Sequence, residues 1–156
     1  MTVTEVRIER AALESAIDLA RLKWLDAEGR EPTDPELRAF TQEMTSWWAE
    51  NGANHSAYIA RSPSGQAIGA AWLALVPRVP RPGNLRRLSA DVQSVYVVPT
   101  SRGQGVGSML VEAARAAAVD QGAPRIVVHS SERAVPLYRR LGFAISERLL
   151  QRHHDS

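Results

Sequence analysis

At 156 residues, with 44% of them hydrophobic, the chain is long enough for one compact domain with a true core and too short for several. It has no cysteine, which excludes disulfides, thiolate metal sites and a cysteine nucleophile together. The formal net charge is only +2, with acidic residues interspersed among the arginines, so charge alone selects neither nucleic acid nor an anionic membrane as a partner.

The first residues, "MTVTEVRIER", lack the apolar stretch of a secretory signal. The longest apolar run, 67–76, is far shorter than the roughly 20 residues of a membrane span. The expectation is a cytoplasmic protein with no membrane partner. Val3, Val6 and Ile8 alternate with polar residues and predict a first strand. Residues 11–29 then place Leu13, Ile17, Ala20 and Trp24 at helical spacing, with Gly29 as the stop. After the turn "EPTDP", Asp34 is suited to cap a second helix and Pro35 to open it, and that helix ends near Asn51. Trp47 and Trp48 diverge by about 100° on this helix, so they cannot share one face and one of them is expected in the core.

Period-two patterning follows. "SAYIAR", the turn "SPSG" and "QAIGAAWLALV" read as an antiparallel hairpin. A Pro/Arg-rich loop with Arg78, Arg81, Arg86 and Arg87 leads to the strand "SADVQSVYVV". "RGQGVG" then opens a helix whose apolar stripe is Val106, Leu110, Ala113 and Ala117. "GAPRIVVHS" is another strand, "AVPLYRRLGF" a short helix and "FAISERLL" a last strand. The order is β-α-α-β-β-β-α-β-α-β: one α/β domain over residues 1–150 and a polar tail over 151–156. From about Ser89 to Ser130 the β-α-β unit calls for parallel strands, with ligands favoured at their carboxyl ends. His153 and His154 in the tail are not read as metal ligands, and no metal site is expected.

The glycine loop carries the chemistry. N–H groups at a helix start have no internal partner, and the helix dipole adds positive potential there. Gly103, Gly105 and Gly107 bring no side chain to keep a diphosphate from those groups, and Arg102 adds charge at the entrance. A P-loop would need Gly-Lys-Ser/Thr, whereas Gly107 is followed by Ser108 and Met109. A dinucleotide fingerprint needs a third glycine where Ser108 stands. The competing reading is a glycine-rich turn with no ligand.

"VYVVPTSRGQGVGSMLVEAA" resembles the acetyl-coenzyme A signature of the GCN5-related N-acetyltransferases, whose Q/R-x-x-G-x-G/A core is matched by Arg102, Gly105 and Gly107. Downstream, "SERAVPLYRRLGF" is similar to that family's tyrosine segment through Ala134, Leu137, Tyr138, Gly142 and Phe143. The family's usual asparagine is Ser131 here, which can form fewer hydrogen bonds, and Pro136 should delay the helix that carries Tyr138.

The resemblance implies a mixed, centrally splayed sheet flanked by helices, with a bulge in the strand before the glycine loop. It implies acetyl-CoA as co-substrate, held by Val95, Tyr96 and Val97 on that strand, by Arg102, Gly103, Gln104, Gly105, Val106, Gly107 and Ser108 in the loop, and by Ser131. Pantetheine amides would pair with the open strand edge, and N–H groups near Val97 would polarise the thioester carbonyl. Tyr138 would protonate the departing thiolate. The implied reaction is acetyl transfer to a primary amine of a small molecule or protein, and the implied assembly includes a homodimer.

The base stays open among Asp91, Glu43, Glu50, His55, His129 and water. Two other functions compete: a non-catalytic coenzyme A-binding module, and nucleic-acid binding through the Arg78–Arg87 loop. The loop has no interleaved aromatics for base stacking, so no nucleic-acid partner is expected. The same arginines are alternatively suited to the cofactor's 3′-phosphate or to an acidic substrate.

Overall fold

The computed structural model describes residues 5–154, so the Val3 end of the predicted first strand lies outside the described residues. Strand β1 (Arg7–Arg10) pairs antiparallel with β2 (His55–Arg61), and β2 with β3 (Ala67–Arg78). β3 pairs antiparallel with β4 (Arg87–Val97), and β4 runs parallel to the short β5 (Ile126–Val128). The strands lie in the order β1-β2-β3-β4-β5. The sheet is mixed, as the predicted order of elements requires.

Helices cover both faces. α1 (Ala16–Glu28) and α2 (Asp34–Asn51) pack on one side, where Leu19, Leu22 and Trp48 meet Ala57, Ile59 and Trp72. α3 (Val106–Asp120) packs on the other, where Leu110 and Ala114 meet Tyr58, Ala60 and Leu73. The alternation along β2 is the two-residue period of a strand with a core on each side. β3 is buried at every residue from Ala67 to Ala74, so its sequence is a continuous apolar run instead of an alternating one. Gly69 lets α3 seat directly on the sheet: a β-carbon there would lie 2.9 Å from the Tyr96 carbonyl oxygen and 3.1 Å from Leu110 Cδ1. Leu73 and Leu110, each at most 1% exposed, contribute about 1.5–3 kcal/mol apiece by burial. No helix among the described residues is long and apolar enough to cross a membrane.

Four local expectations are corrected. A 3-10 turn at Leu13–Ser15 delays α1 to Ala16, so Ala16, Leu19, Ala20 and Leu22 are buried while Leu13 and Ile17 stay exposed. The α2 cap is Thr33, not Asp34. Its hydroxyl accepts from Glu36 N at 3.3 Å, while the Glu36 carboxylate accepts from Thr33 N at 2.9 Å. Arg30 grips that carboxylate with two N–H groups, and with the Thr33 bonds this holds Glu36 at a pKa of about 2.

The predicted last strand over residues 143–150 does not form. Ser146 bends this segment into a local turn, its carbonyl accepting from Leu149 N and its hydroxyl from Arg148 N, both at 3.3 Å. β5 has only three residues to offer a partner strand. Ile145, Leu149 and Leu150 are exposed in consequence. Pro136 delays nothing either: α4 (Val135–Arg140) follows a 3-10 turn at Glu132–Ala134 and carries the proline in its first turn, where a missing N–H is harmless.

Candidate active site

The site begins with a bulge. Trp72 of β3 faces Ser94, but the next residue, Leu73, faces Val92, so Gln93 is an extra residue in β4. Pairing of β4 with β5 stops at Val92 and Val128, one residue before that bulge. The sheet is therefore splayed at its centre, and β4 from Gln93 to Val97 has no neighbour on the β5 side. Val98 donates to Ile68 O across β3 at 2.9 Å. Alternation then turns the N–H groups of Val95 and Val97 toward the vacant edge. The Val97 carbonyl on that edge is taken by Arg102 Nε at 2.8 Å, and the Arg102 guanidinium lies 5.5 Å from the Tyr96 ring centre.

The glycine loop follows a 3-10 turn at Pro99–Ser101. Gly103 (φ +75°) and Gly105 (φ +83°) adopt the left-handed conformation that disfavours side chains. Gly105 caps α3 and has no side chain to bond the helix start; the first helical bond is Met109 N to Gly105 O at 3.1 Å. The N–H groups of Val106, Gly107 and Ser108 are thus left for an anion. Gly107 has a different reason to be glycine. A β-carbon there would approach Leu137 Cδ1 to 3.3 Å, so it lets α3 pack against α4.

A cavity of about 710 Å³ joins these parts. Val95, Tyr96 and Val97 line it from β4, as do Arg102, Gly103, Gly105, Val106, Gly107 and Ser108 from the loop. Ser131 and Tyr138 close its far wall. Every cofactor residue expected from the sequence lines this cavity except Gln104, whose side-chain oxygen is buried without a hydrogen-bond partner. Tyr138 is 7% exposed and meets Phe143 edge to face at 5.4 Å between ring centres. Burial raises its phenol pKa, so the hydroxyl keeps its proton throughout the neutral range.

The suggested bases lie elsewhere: none of Asp91, Glu43, Glu50, His55 and His129 lines the cavity. Glu43 and Glu50 are exposed on α2. His55 contacts Trp47 edge to face at 4.9 Å, and its Nδ1 lies 3.1 Å from Asn51 O. Asp91 has its pKa raised by burial, opposed by a hydrogen bond from Gln93 and the nearby charge of His129. Of the tryptophan pair, Trp48 is buried in the α1–α2 core and Trp47 is exposed against Trp72.

Asp26, Arg133 and Arg140 also line the cavity, and the sequence reading passed over them. Asp26 reaches it from α1, 3.4 Å from Lys23, whose ammonium also donates to Ser94 Oγ at 3.1 Å. A signal existed: the chain's single lysine sits three residues before an aspartate, one turn before the Gly29 stop. Asp26, Tyr96, Ser101 and Arg102 are shared with a second cavity of about 850 Å³, also bordered by Arg21, Glu31 and the β2–β3 turn. Arg133 and Arg140 line the same cavity as Tyr138 and the start of α3 and add positive charge to its wall.

Residues 15–143 match the model of the acetyltransferase (GNAT) family. The chain is 32% identical over 89 residues to the glucosamine 6-phosphate N-acetyltransferase of Trypanosoma brucei brucei, a stretch covering 57% of this chain and 58% of that enzyme. It is 39% identical over 93 residues to the mycothiol acetyltransferase of Salinispora tropica, covering 55% of this chain and 28% of that protein. The matched stretch is thus little more than half of the first relative and under a third of the second. The fold agrees with that of a predicted acetyltransferase from Clostridium acetobutylicum solved with acetyl-CoA, with a TM-score of 0.71 at 22% identity over 95% of this chain and 96% of that one. With most of its length matched by the family model and its sheet splayed beside a glycine-capped helix, the chain belongs to the acetyltransferase (GNAT) family.

Proposed function

We propose that the protein transfers an acetyl group from acetyl-CoA to a primary amine. The observation that carries this reading is convergence: the open β4 edge, the uncapped start of α3 and the Tyr138 hydroxyl's side chain all border one cavity. The residues fit the co-substrate. Open N–H groups from Gly103 to Ser108 suit its diphosphate, Arg133 and Arg140 add countercharge, and the Val95 and Val97 edge suits the pantetheine amides. The fold neighbour solved with acetyl-CoA and the family match support the same choice.

Each residue then has a task. The Val97 N–H donates to the thioester carbonyl oxygen, stabilising the negative charge that grows there as the amine nitrogen attacks the carbonyl carbon. As the C–S bond breaks, Tyr138 gives its proton to the departing sulfur. Its raised pKa keeps that proton available but makes it a weaker acid, so close alignment in the cavity has to supply the transfer. Asp26 holds the ammonium form of the acceptor at the cavity mouth. That ammonium gives one proton to water before its freed lone pair attacks, and the second N–H proton, lost from the adduct, returns through solvent to the Tyr138 phenolate. The acceptor is a small polar amine approaching from the α1 side. Glucosamine 6-phosphate is the first to try because the trypanosomal relative is named for it. A homodimer belongs to the same reading, and sedimentation at twice the 17.1 kDa chain mass is its check.

The test is release of free thiol from acetyl-CoA across a panel of amino sugars, polyamines, amino acids and peptides. Turnover with at least one amine is expected, and Tyr138→Phe should lower kcat by about 10²–10⁴-fold with cofactor affinity nearly unchanged. Saturable acetyl-CoA binding with no thiol release above hydrolysis would favour the non-catalytic module instead. Unaltered turnover in Tyr138→Phe at every pH would remove the tyrosine from the chemistry.

A further inference from the structure

At the opposite end of β4 from the glycine loop lies a third cavity, of about 510 Å³, whose walls carry Arg78, Arg81, Arg86, Arg87 and Arg125 and no carboxylate. Four of these come from the hairpin joining β3 to β4, and Arg125 comes from the loop joining α3 to β5. We propose that this cavity binds a compact anion carrying two or more phosphate groups.

The hairpin is a built structure. Arg81 and Asn84 exchange backbone hydrogen bonds, Arg81 N to Asn84 O at 3.0 Å and Asn84 N to Arg81 O at 2.9 Å. Between them Pro82 and Gly83, the latter at φ +80°, close the turn in the way a type II turn demands. Arg87 donates from Nη1 to Val79 O at 2.7 Å, fixing one guanidinium beneath the tip. Arg78 and Arg87 stand directly opposite each other across the strands. Like charges in that position repel, a local cost that a bound anion would relieve.

Among the described residues no carboxylate is paired with these arginines. None of the ion pairs among the described residues includes any of the five arginines. The pKa of Arg87 is lowered, by desolvation first and then by Arg81, Arg78 and Arg125, which is the mark of guanidiniums crowding one another.

The ligand class follows from shape and chemistry. Planar guanidinium forks suit phosphate oxygens, and several forks converging on one concavity suit a multiply charged anion. A nucleic-acid strand would need an extended groove with aromatic faces for stacking, and no aromatic side chain lines this cavity. Coenzyme A cannot be the ligand while its diphosphate sits on the glycine loop. From Arg87 to Val97 the strand rises roughly 33 Å, and the 3′-phosphate belongs to the same nucleotide as the diphosphate. The structure thus separates these arginines from the cofactor role that their sequence allowed.

Calorimetric titration of the full chain with inorganic tripolyphosphate tests the proposal, once with coenzyme A present in excess and once without it. Saturable one-to-one binding is expected in the arm with coenzyme A, whose own diphosphate fills the glycine loop, and it should be tighter than that of inorganic phosphate and weaken as salt rises. The double variant Arg81→Gln/Arg125→Gln should weaken it at least tenfold while melting and coenzyme A binding stay as in the parent. Arg81→Lys/Arg125→Lys, which keeps charge but loses the fork, should fall between. Absence of saturable binding, loss of binding when coenzyme A is present, or equal affinity in the glutamine variant would overturn the site. Tighter binding of a single-stranded RNA that displaces tripolyphosphate would overturn the ligand class. Should the protein bind no coenzyme A at all, the glutamine variant still decides the question, so the two readings fail separately.

Discussion

The two ends of β4 both gather positive potential, and they gather it from different materials. At the Val97 end the positive potential comes from main-chain N–H groups left open by two left-handed glycines and an uncapped helix. At the Arg87 end it comes from side chains converging from a hairpin and a separate loop. Main-chain sites are fixed once the fold is fixed, so they suit a co-substrate whose reactive atom must be aimed. Side-chain sites place charge without fixing its partner as closely, so they suit retention of an anion more than alignment of a reaction.

The largest effect on cofactor affinity is expected from Gly105→Val. A branched side chain at φ +83° is strained by about 1–3 kcal/mol, and it also crowds the N–H groups that the anion needs. Acetyl-CoA affinity should fall roughly 100-fold or more, where each tenfold corresponds to about 1.4 kcal/mol. Tripolyphosphate affinity at the other end should not change. A parallel loss at both ends would break the comparison, because it would mean that both anions share the glycine loop.

This difference in materials also decided what could be read from the sequence. Glycines declare a main-chain site at fixed spacing, and "RGQGVG" before a helix marked the loop, with Tyr138 at a set distance downstream. The order of elements was legible because β2, β3 and α3 have strong periodicity. The Lys23–Asp26 pair was visible on α1, but its place beside the cavity was not, since that depends on how α1 packs. The buried face of α1 was misread for a related reason: a 3-10 turn at Leu13–Ser15 delays the helix start. The last strand was overestimated because alternation at Phe143 and Ile145 carried no information about the Ser146 turn or the short β5. Arg125 joins the hairpin arginines only through the sheet, 38 positions beyond Arg87 in the sequence.

A smaller effect is expected from Asp26→Asn, which removes a side-chain charge at the main-chain end. If Asp26 holds the acceptor's ammonium, the KM for the amine should rise at least about tenfold, since tenfold is about 1.4 kcal/mol, just under the roughly 1.5–3 kcal/mol typical of a hydrogen bond to a charged group. The kcat and the acetyl-CoA affinity should change little. A fall in kcat alone would move Asp26 from holding the amine to taking its proton.

The smallest effect lies midway along β4, at Asp91, where the two ends can be tested for coupling. Burial raises the Asp91 pKa above 3.8, so the folded chain holds this proton more tightly than the unfolded chain does. The stabilising contribution is therefore complete below about pH 4 and is lost as pH rises through the folded pKa, leaving an ionised, partly desolvated carboxylate at neutrality. Asp91→Asn mimics the protonated form. It should melt higher than the parent at pH 7, by at most about 2–4 °C for a difference under about 1 kcal/mol after solvent screening, and the gap should close as the buffer is taken below pH 4. His129 is the nearby charge that opposes the shift. Filling the arginine-lined cavity with tripolyphosphate should leave the gap between parent and variant unchanged. A gap that widens with tripolyphosphate would show that the field of one end reaches the middle of β4, and that the two anion sites communicate through the strand they share.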